Sequence, residues 1–360
     1  RFSNGVLFMK RKEYTITDIA RTLQVSTASV SRALSGAPGV SQKLRERITS
    51  FCDEIGYLPA SVSRNAHAEK PNIIALILGD VRNPFYANLA FAIQKRLMNS
   101  KYMTVVFNSE YNEVKELEFI DIAEQFGFSG LMLITAQSEA ISQKLSETRL
   151  PKVLVNRILP HYNGDSVLTD NFQAGYEAAL HLITLGHERI GFIAGPENSS
   201  ASAQRFDGFR QAMRNYSLPV RREFIWHSDL KLETGQKLAR NFLALSERPS
   251  GIVSVNDMTS LGFIDGCKKA GLSIPEDLSL ISFDDIPIAS LYDIQLTTIS
   301  QHGEEMGLTA ADLMLRRLEH PDREPERVIM KPRLIVRSTT GPCSQQQNMP
   351  ARFTTQSFGV

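Results

Sequence analysis

The sequence predicts an α/β protein. An N-terminal all-α helix-turn-helix headpiece should precede a two-lobed core of doubly wound parallel sheets. Three observations carry this. Beyond Pro71, short apolar runs alternate with amphipathic stretches, as in parallel strands covered by helices on both faces. Between Thr15 and Ile55, by contrast, apolar residues recur at helical spacing. The 360-residue length exceeds one typical domain and leaves room for two lobes beside a small headpiece.

In chain order, residues 1–14 read as an extension, RFSNGVLF, before Met9-Lys10-Arg11-Lys12, which resembles a natural start. The headpiece spans 15–58. Its first helix buries Ile16, Ile19, Ala20 and Leu23, with Thr17 the expected N-cap. A tight turn at Leu23-Gln24-Val25-Ser26 leads to a second helix, which Ser26 can cap and which buries Val30, Ala33 and Leu34. The opposite side carries Thr27, Ala28, Ser29, Ser31 and Arg32, short hydrogen-bonding groups with one long cation. That surface suits a DNA major groove better than it suits bulk water. A third helix, Gln42 to Ile55, presents Leu44, Ile48, Phe51 and Ile55, and Pro59 ends it. Residues 59–72 are small and polar and read as a hinge. In the core, 73–340, the expected strands are Ile73–Leu78, Thr104–Phe107, Gly130–Ile134, Lys152–Val155, Arg189–Ala194, Gly251–Val255 and Leu278–Phe283. Helical patterns lie between them, such as Pro84–Met98, Val114–Phe126, Phe172–Leu185 and Met258–Ala270. The tail, 341–360, lacks periodicity and any leucine heptad.

Composition narrows the function. No run is long enough to cross a bilayer, and the first residues lack the apolar core of a signal peptide. Three scattered cysteines argue for a reducing cytoplasm. Residues 9–70 hold ten Lys/Arg against six Asp/Glu, whereas residues 71–360 hold twenty-nine against thirty-three, so only the head is expected to meet a polyanion. No dinucleotide-binding, Walker, nucleophile-elbow or zinc-protease motif is present. His181 and His187 are expected to be structural or exposed and not metal ligands. Asp284 and Asp285 are adjacent, so their side chains should point apart and not share a proton. Ligands of open parallel sheets sit beyond the carboxyl ends of strands. Arg205, Asn256 and Asp284 follow predicted strands, and together they offer donors and acceptors for a polyol or purine.

The segments Ile16-Thr17-Asp18-Ile19-Ala20, Val25-Ser26, Ser29-Val30-Ser31-Arg32-Ala33-Leu34 and Val40-Ser41, continuing through Arg45 to Gly56-Tyr57-Leu58-Pro59, resemble the lactose-repressor (LacI/GalR) family of bacterial transcription regulators. The likeness runs more loosely through residues 15–340. It implies a cytoplasmic homodimer that binds a palindromic operator, with a core similar to periplasmic sugar-binding proteins. The DNA-contacting set it implies is Thr17, Ser26, Thr27, Ala28, Ser29, Ser31, Arg32, Tyr57, Arg64 and Ala66. The effector set is Phe85, Tyr86, Arg205, Leu230, Asn256 and Asp284, with no metal or cofactor. Two departures stand out. Leu230 replaces a stacking ring, and Ser199 and Ala201 replace longer polar groups of a purine-binding relative, which favours a sugar or sugar derivative. Ala66 replaces the hinge leucine that wedges into the minor groove, and a methyl group is too small to unstack a base step. Two other readings are a sugar-binding protein without a DNA role, which should lack the headpiece, and an enzyme on the same scaffold, which should show a nucleophile, metal cluster or cofactor loop.

Overall fold

The computed structural model describes residues 15–35, 37–55, 57, 71–134 and 138–343. The chain divides at Pro71–Asn72 into two compact units. Arg64 and Ala66 of the hinge lie outside the described residues, as do the extension and the tail beyond Cys343.

The headpiece is three helices, α1 (Ile16–Leu23), α2 (Thr27–Leu34) and α3 (Gln42–Ile55). The cap of α1 is Thr15 and not Thr17. Thr15 Oγ1 accepts the Asp18 backbone N–H at 3.2 Å, and the Asp18 carboxylate accepts the Thr15 N–H at 3.0 Å. This reciprocal box starts the helix early enough for Ile16 to reach the core, and leaves Thr17 exposed in the first turn. The turn into α2 passes through Gln24 in the left-handed region (φ 53°). Ser26 then caps α2 by accepting the Ser29 N–H at 3.0 Å. At the other end of α2, Arg45 reaches across from α3 to donate to the Ala33 and Ala37 carbonyls at 3.0 and 2.7 Å, a cation set against the negative end of the helix dipole. Ile19, Ala20, Leu23, Val30, Ala33, Ile48 and Cys52 are buried, and Leu34, Leu44, Phe51, Ile55 and Tyr57 pack around them.

The core begins with β1 (Ile73–Leu78), α4 (Pro84–Met98), β2 (Met103–Asn108), α5 (Glu113–Gln125), β3 (Gly130–Ile134), α6 (Glu139–Glu147), β4 (Lys152–Val155) and β5 (Asp165–Thr169). It continues with α7 (Asn171–Thr184), β6 (Ile190–Ala194), α8 (Ser200–Asn215), β7 (Ile225–His227), α9 (Leu232–Leu243), β8 (Gly251–Ser254), α10 (Asp257–Lys269), β9 (Ser279–Asp284) and β10 (Thr297–Ser300). Then α11 (Gly303–Glu319) and β11 (Arg327–Met330) return to the first lobe, and β12 (Arg333–Ile335) ends in the second. The first sheet has the order β11-β5-β4-β3-β1-β2 and is parallel throughout. The second has β12-β10-β9-β8-β6-β7, with only β12 antiparallel. β1 reads IIALIL and is nearly all buried, because a central parallel strand is covered on both faces.

The expected strands exist with boundaries within one residue of those read from the sequence. β5, β7, β10, β11 and β12 were not expected. DSVLT and TTIS carry hydroxyls and only burial among neighbours makes them strands, IWH and RLI are three residues long, and RVIM is a largely exposed edge strand. The chain crosses between lobes three times, after β5, β10 and β11. The first and third crossings touch where the Asp170 N–H donates to the Met330 carbonyl at 3.0 Å.

Candidate functional site

On α2, Thr27, Ala28, Ser31 and Arg32 are exposed, whereas Val30 and Ala33 are buried, so the helix has one apolar face and one short polar face. Ser29 is half-buried because it serves the Ser26 cap, its hydroxyl 2.9 Å from that of Ser26. Arg32 forms no ion pair among the described residues, and its guanidinium lies along the Gly39 turn. Tyr57 anchors the end of α3, its N–H donating to the Cys52 carbonyl at 2.8 Å, and burial raises its phenol above the ordinary value.

The second site lies between the core lobes. Asn83 and Tyr86 follow β1, and Asn156 and Arg157 follow β4. Ser199, Ala201, Ser202 and Arg205 follow β6, Leu230 follows β7, Asn256 follows β8, Asp284 ends β9 and Gln301 follows β10. All of these positions are at carboxyl ends of strands, where the two sheets face one another. They enclose about 20 Å³, room for one water.

Arg205 is fixed from three sides. Its Nε donates to Asn171 Oδ1 at 2.8 Å, an Nη donates to the Val255 carbonyl at 2.8 Å, and the guanidinium lies 4.4 Å from the Phe283 ring centroid. Burial lowers its pKa to about 10. Two glycines permit this placement. A Cβ on Gly175 would stand 1.9 Å from the Arg205 carbonyl oxygen, and one on Gly208 would stand 2.0 Å from the Phe172 carbonyl oxygen. The α7–α8 pair therefore packs backbone to backbone, which sets Arg205 at the mouth of β6.

Asp284 is presented by an unusual backbone. Asp284 and Asp285 both have positive φ, 118° and 59°. The turn is held by Arg337, which donates to Asp285 Oδ1 at 2.6 Å and to the Leu296 carbonyl at 2.8 Å, and by Asp257, whose Oδ2 accepts the Ile286 N–H at 2.9 Å. The two adjacent carboxylates thus part. Asp285 is paired outside the cavity, while Asp284 faces in and accepts from Gln301 Nε2 at 2.5 Å. Burial and the nearby Asp257 push Asp284 up to about 8, so near neutrality it can donate as well as accept. Asn256 caps α10, accepting the Thr259 N–H at 3.1 Å and donating to the Leu230 carbonyl at 3.2 Å, so its amide is partly engaged before any ligand arrives.

The sequence-derived residues Tyr86, Arg205, Leu230, Asn256 and Asp284 therefore meet in one cavity. Phe85 does not line it. Its ring packs where a Gly303 side chain would be, 3.1 Å from that ideal Cβ, and borders an open groove on the far side of Asp284. Sequence reasoning missed Asn83, Asn156, Arg157, Ser202 and Gln301. The rule of searching strand ends would have reached Asn156 and Arg157, which directly follow an expected strand. Gln301 follows TTIS, which carries no such signal. His181 and His187 are structural, bonded to Thr340, Ser250 and Gly341. Among the described residues no group of three His, Cys, Asp or Glu could hold a metal, and no helix is long and apolar enough to cross a membrane.

Residues 15–60 match the family model described as bacterial regulatory proteins, lacI family, and residues 179–340 match a periplasmic binding protein-like domain. The HTH-type transcriptional repressor CytR of Escherichia coli (strain K12) is 32% identical over 327 residues, covering 91% of this chain and 96% of that protein. The repressor PurR of Photobacterium profundum is 28% identical over 90% of this chain and 98% of its own length. Among solved structures, a LacI family transcriptional regulator from Enterococcus faecium with bound ribose has a TM-score of 0.68 at 28% identity, covering 76% of this chain and all of that one. The CelR–cellobiose complex shares the fold, with a TM-score of 0.70 at 24% identity over 91% of this chain and 99% of that one. The chain belongs to the lacI family of bacterial regulatory proteins: it is a DNA-binding transcriptional repressor under the control of a small metabolite, and not an enzyme.

Proposed function

We propose that the effector is a sugar or sugar derivative held by Arg205, Asp284 and Asn256 against Tyr86 and Arg157, and that its entry moves the two lobes. The observation that carries this is the convergence of two guanidiniums, four side-chain amides and a carboxyl whose pKa burial raises on one buried cavity. A space of about 20 Å³ cannot hold a sugar, so the lobes must part to admit one and re-close around it. A relative of the same fold has ribose bound, which supports the sugar class. Replacing Arg205 by Ala should abolish the effector's influence on operator affinity, read by titrating labelled operator with and without candidate sugars. An unchanged response would refute the site.

We further infer that the protein acts as a cytoplasmic homodimer on a palindromic operator. Phe91 and Met98 on α4 are 65% and 63% exposed, Met103 on the edge strand β2 is 70% exposed, and Tyr292 beyond β9 is 92% exposed. Phe91 and Leu308 of the first lobe and Pro287 of the second border one groove, so apolar side chains from both lobes flank it. A second copy covering that face would bring two headpieces to two half-sites related by a twofold axis. Sedimentation of the Phe91→Glu variant should show a monomer, and a dimer indistinguishable from the wild type would reject this face.

A further inference from the structure

Two buried cations line the cavity. Arg157 is 5% exposed and Arg205 4%. Arg157 donates only to neutral oxygens, the Asn156 carbonyl and the Tyr86 hydroxyl, each at 2.7 Å, and its guanidinium lies 6.0 Å from the Tyr86 ring centroid. The partners of Arg205 are an amide, a carbonyl and a ring. Neither forms an ion pair among the described residues. The shielded arginines elsewhere in the core behave differently. Arg317 and Arg323 meet Asp165 at 2.8 and 2.7 Å, and Arg337 meets Asp285 at 2.6 Å.

A guanidinium taken out of water without an anion is costly, and the cost is removed when a ligand supplies the charge. Among the described residues Asp284 is the one carboxyl lining the cavity, and it forms no ion pair with either arginine: its Oδ1 accepts from Gln301 at 2.5 Å, and burial pushes its pKa up to about 8. Asn156, 3% exposed and in the left-handed region (φ 55°), has an Oδ1 without a partner among the described residues. That acceptor suits a hydroxyl donor. The cavity therefore offers cations for an anion and neutral polar groups for a polyol.

We propose that the effector carries a negative charge, a carboxylate or phosphate on a polyol, seated against Arg157 and Arg205. This rests on the reading of the cleft as the effector site. The test is thermal unfolding of the full chain with matched pairs, glucose against gluconate and ribose against ribose 5-phosphate, and with inorganic phosphate against chloride at equal ionic strength. The expected result is a saturable rise in Tm with a charged probe, at least about tenfold tighter than with its neutral counterpart. Arg157→Met should weaken that binding by about tenfold or more, with circular dichroism checking its fold; Arg157→Lys, which keeps the charge, should retain part of the binding. A gluconate response without a phosphate response assigns a carboxylate, and the converse a phosphate ester. Neutral members binding as tightly as charged ones, with loss in Arg205→Ala, would overturn the charge assignment and leave the sugar reading standing. Failure of every probe to exceed chloride would overturn the proposal, and the operator titration of Arg205→Ala would judge the cleft separately.

Discussion

Helix α2 and the cleft place arginine in opposite ways. Arg32 stands exposed on α2 and forms no ion pair among the described residues, and its position follows from local helical spacing alone. Arg157 and Arg205 are buried, immobilised by hydrogen bonds from elements far apart in sequence, and come together only when two sheets face each other. An exposed cation is cheap to keep and binds a polyanion with affinity that falls with salt. A buried one costs stability but arrives preorganised, so its ligand loses little orientational freedom. The contrast implies that replacing Arg32 impairs recognition and leaves the fold intact, whereas disturbing the packing that seats the cleft arginines impairs both fold and binding.

The largest test of that contrast is Gly208→Leu. The side chain would collide with the Phe172 backbone, force α7 and α8 apart and displace Arg205. We expect a loss of several kcal/mol in core stability, the scale of overpacking a closed helix contact, or failure to fold. A variant with wild-type urea midpoint would show that the helix pair is not rigid.

The second test is the pH dependence of core stability. Asp284 and Asp257 are pushed up, to about 8 and about 6, by burial in each case, with the other carboxylate adding to the rise at Asp284. The unfolded chain ionises these groups near the ordinary carboxylate value, so their contribution is fully present below that value and is lost as pH rises through the folded ones. Stability should therefore fall between roughly pH 4 and 8, by on the order of a few kcal/mol. His181 and His187, held down mainly by burial, act the other way below their ordinary value, so the informative quantity is the difference from Asp284→Asn. That variant should show a flatter profile, and an identical slope would remove Asp284 as its source.

Third is Arg32→Ala, expected to cost about 1–3 kcal/mol in operator affinity, to relax preference at one base in each half-site and to leave the Tm unchanged. Equal affinity across base variants would exclude base reading by this residue. The smallest effect separates Thr15 from Thr17. Thr15→Ala should destabilise the headpiece by about 1 kcal/mol through loss of its cap, while Thr17→Ala should not. Equal melting of the two would contradict the capping box.

Much of the architecture was legible in advance. Helix α3, helix α4 and strands β1, β3 and β4 occupy the residues expected from apolar periodicity, since each pattern is long or continuous. Thr17 is not the cap: both threonines stand at the start of the apolar pattern, and only the Asp18 contact distinguishes them. In the cleft, Arg205, Asn256 and Asp284 were reachable because they follow apolar strands. Arg157 was reachable by the same rule and overlooked, and Gln301 was hidden behind a strand of threonines and serine whose burial no local pattern announces.

By itself the sequence determined the exposed polar face of α2 and the alternation that builds two parallel sheets, because helical and strand periodicities are local properties of neighbouring side chains. The tertiary structure alone decided which polar groups meet in the cleft and in what charge state. Asn156, Leu230 and Asp284 reach the cavity through left-handed backbone (φ 55°, 71° and 118°), a conformation their residue types do not announce. That Arg157 forms no ion pair among the described residues depends on which carboxylates the packing turns elsewhere, Asp285 toward Arg337 and Asp165 toward Arg317 and Arg323. Charge balance in a buried site is a sum over residues distant in sequence, so it exists only once the chain has folded.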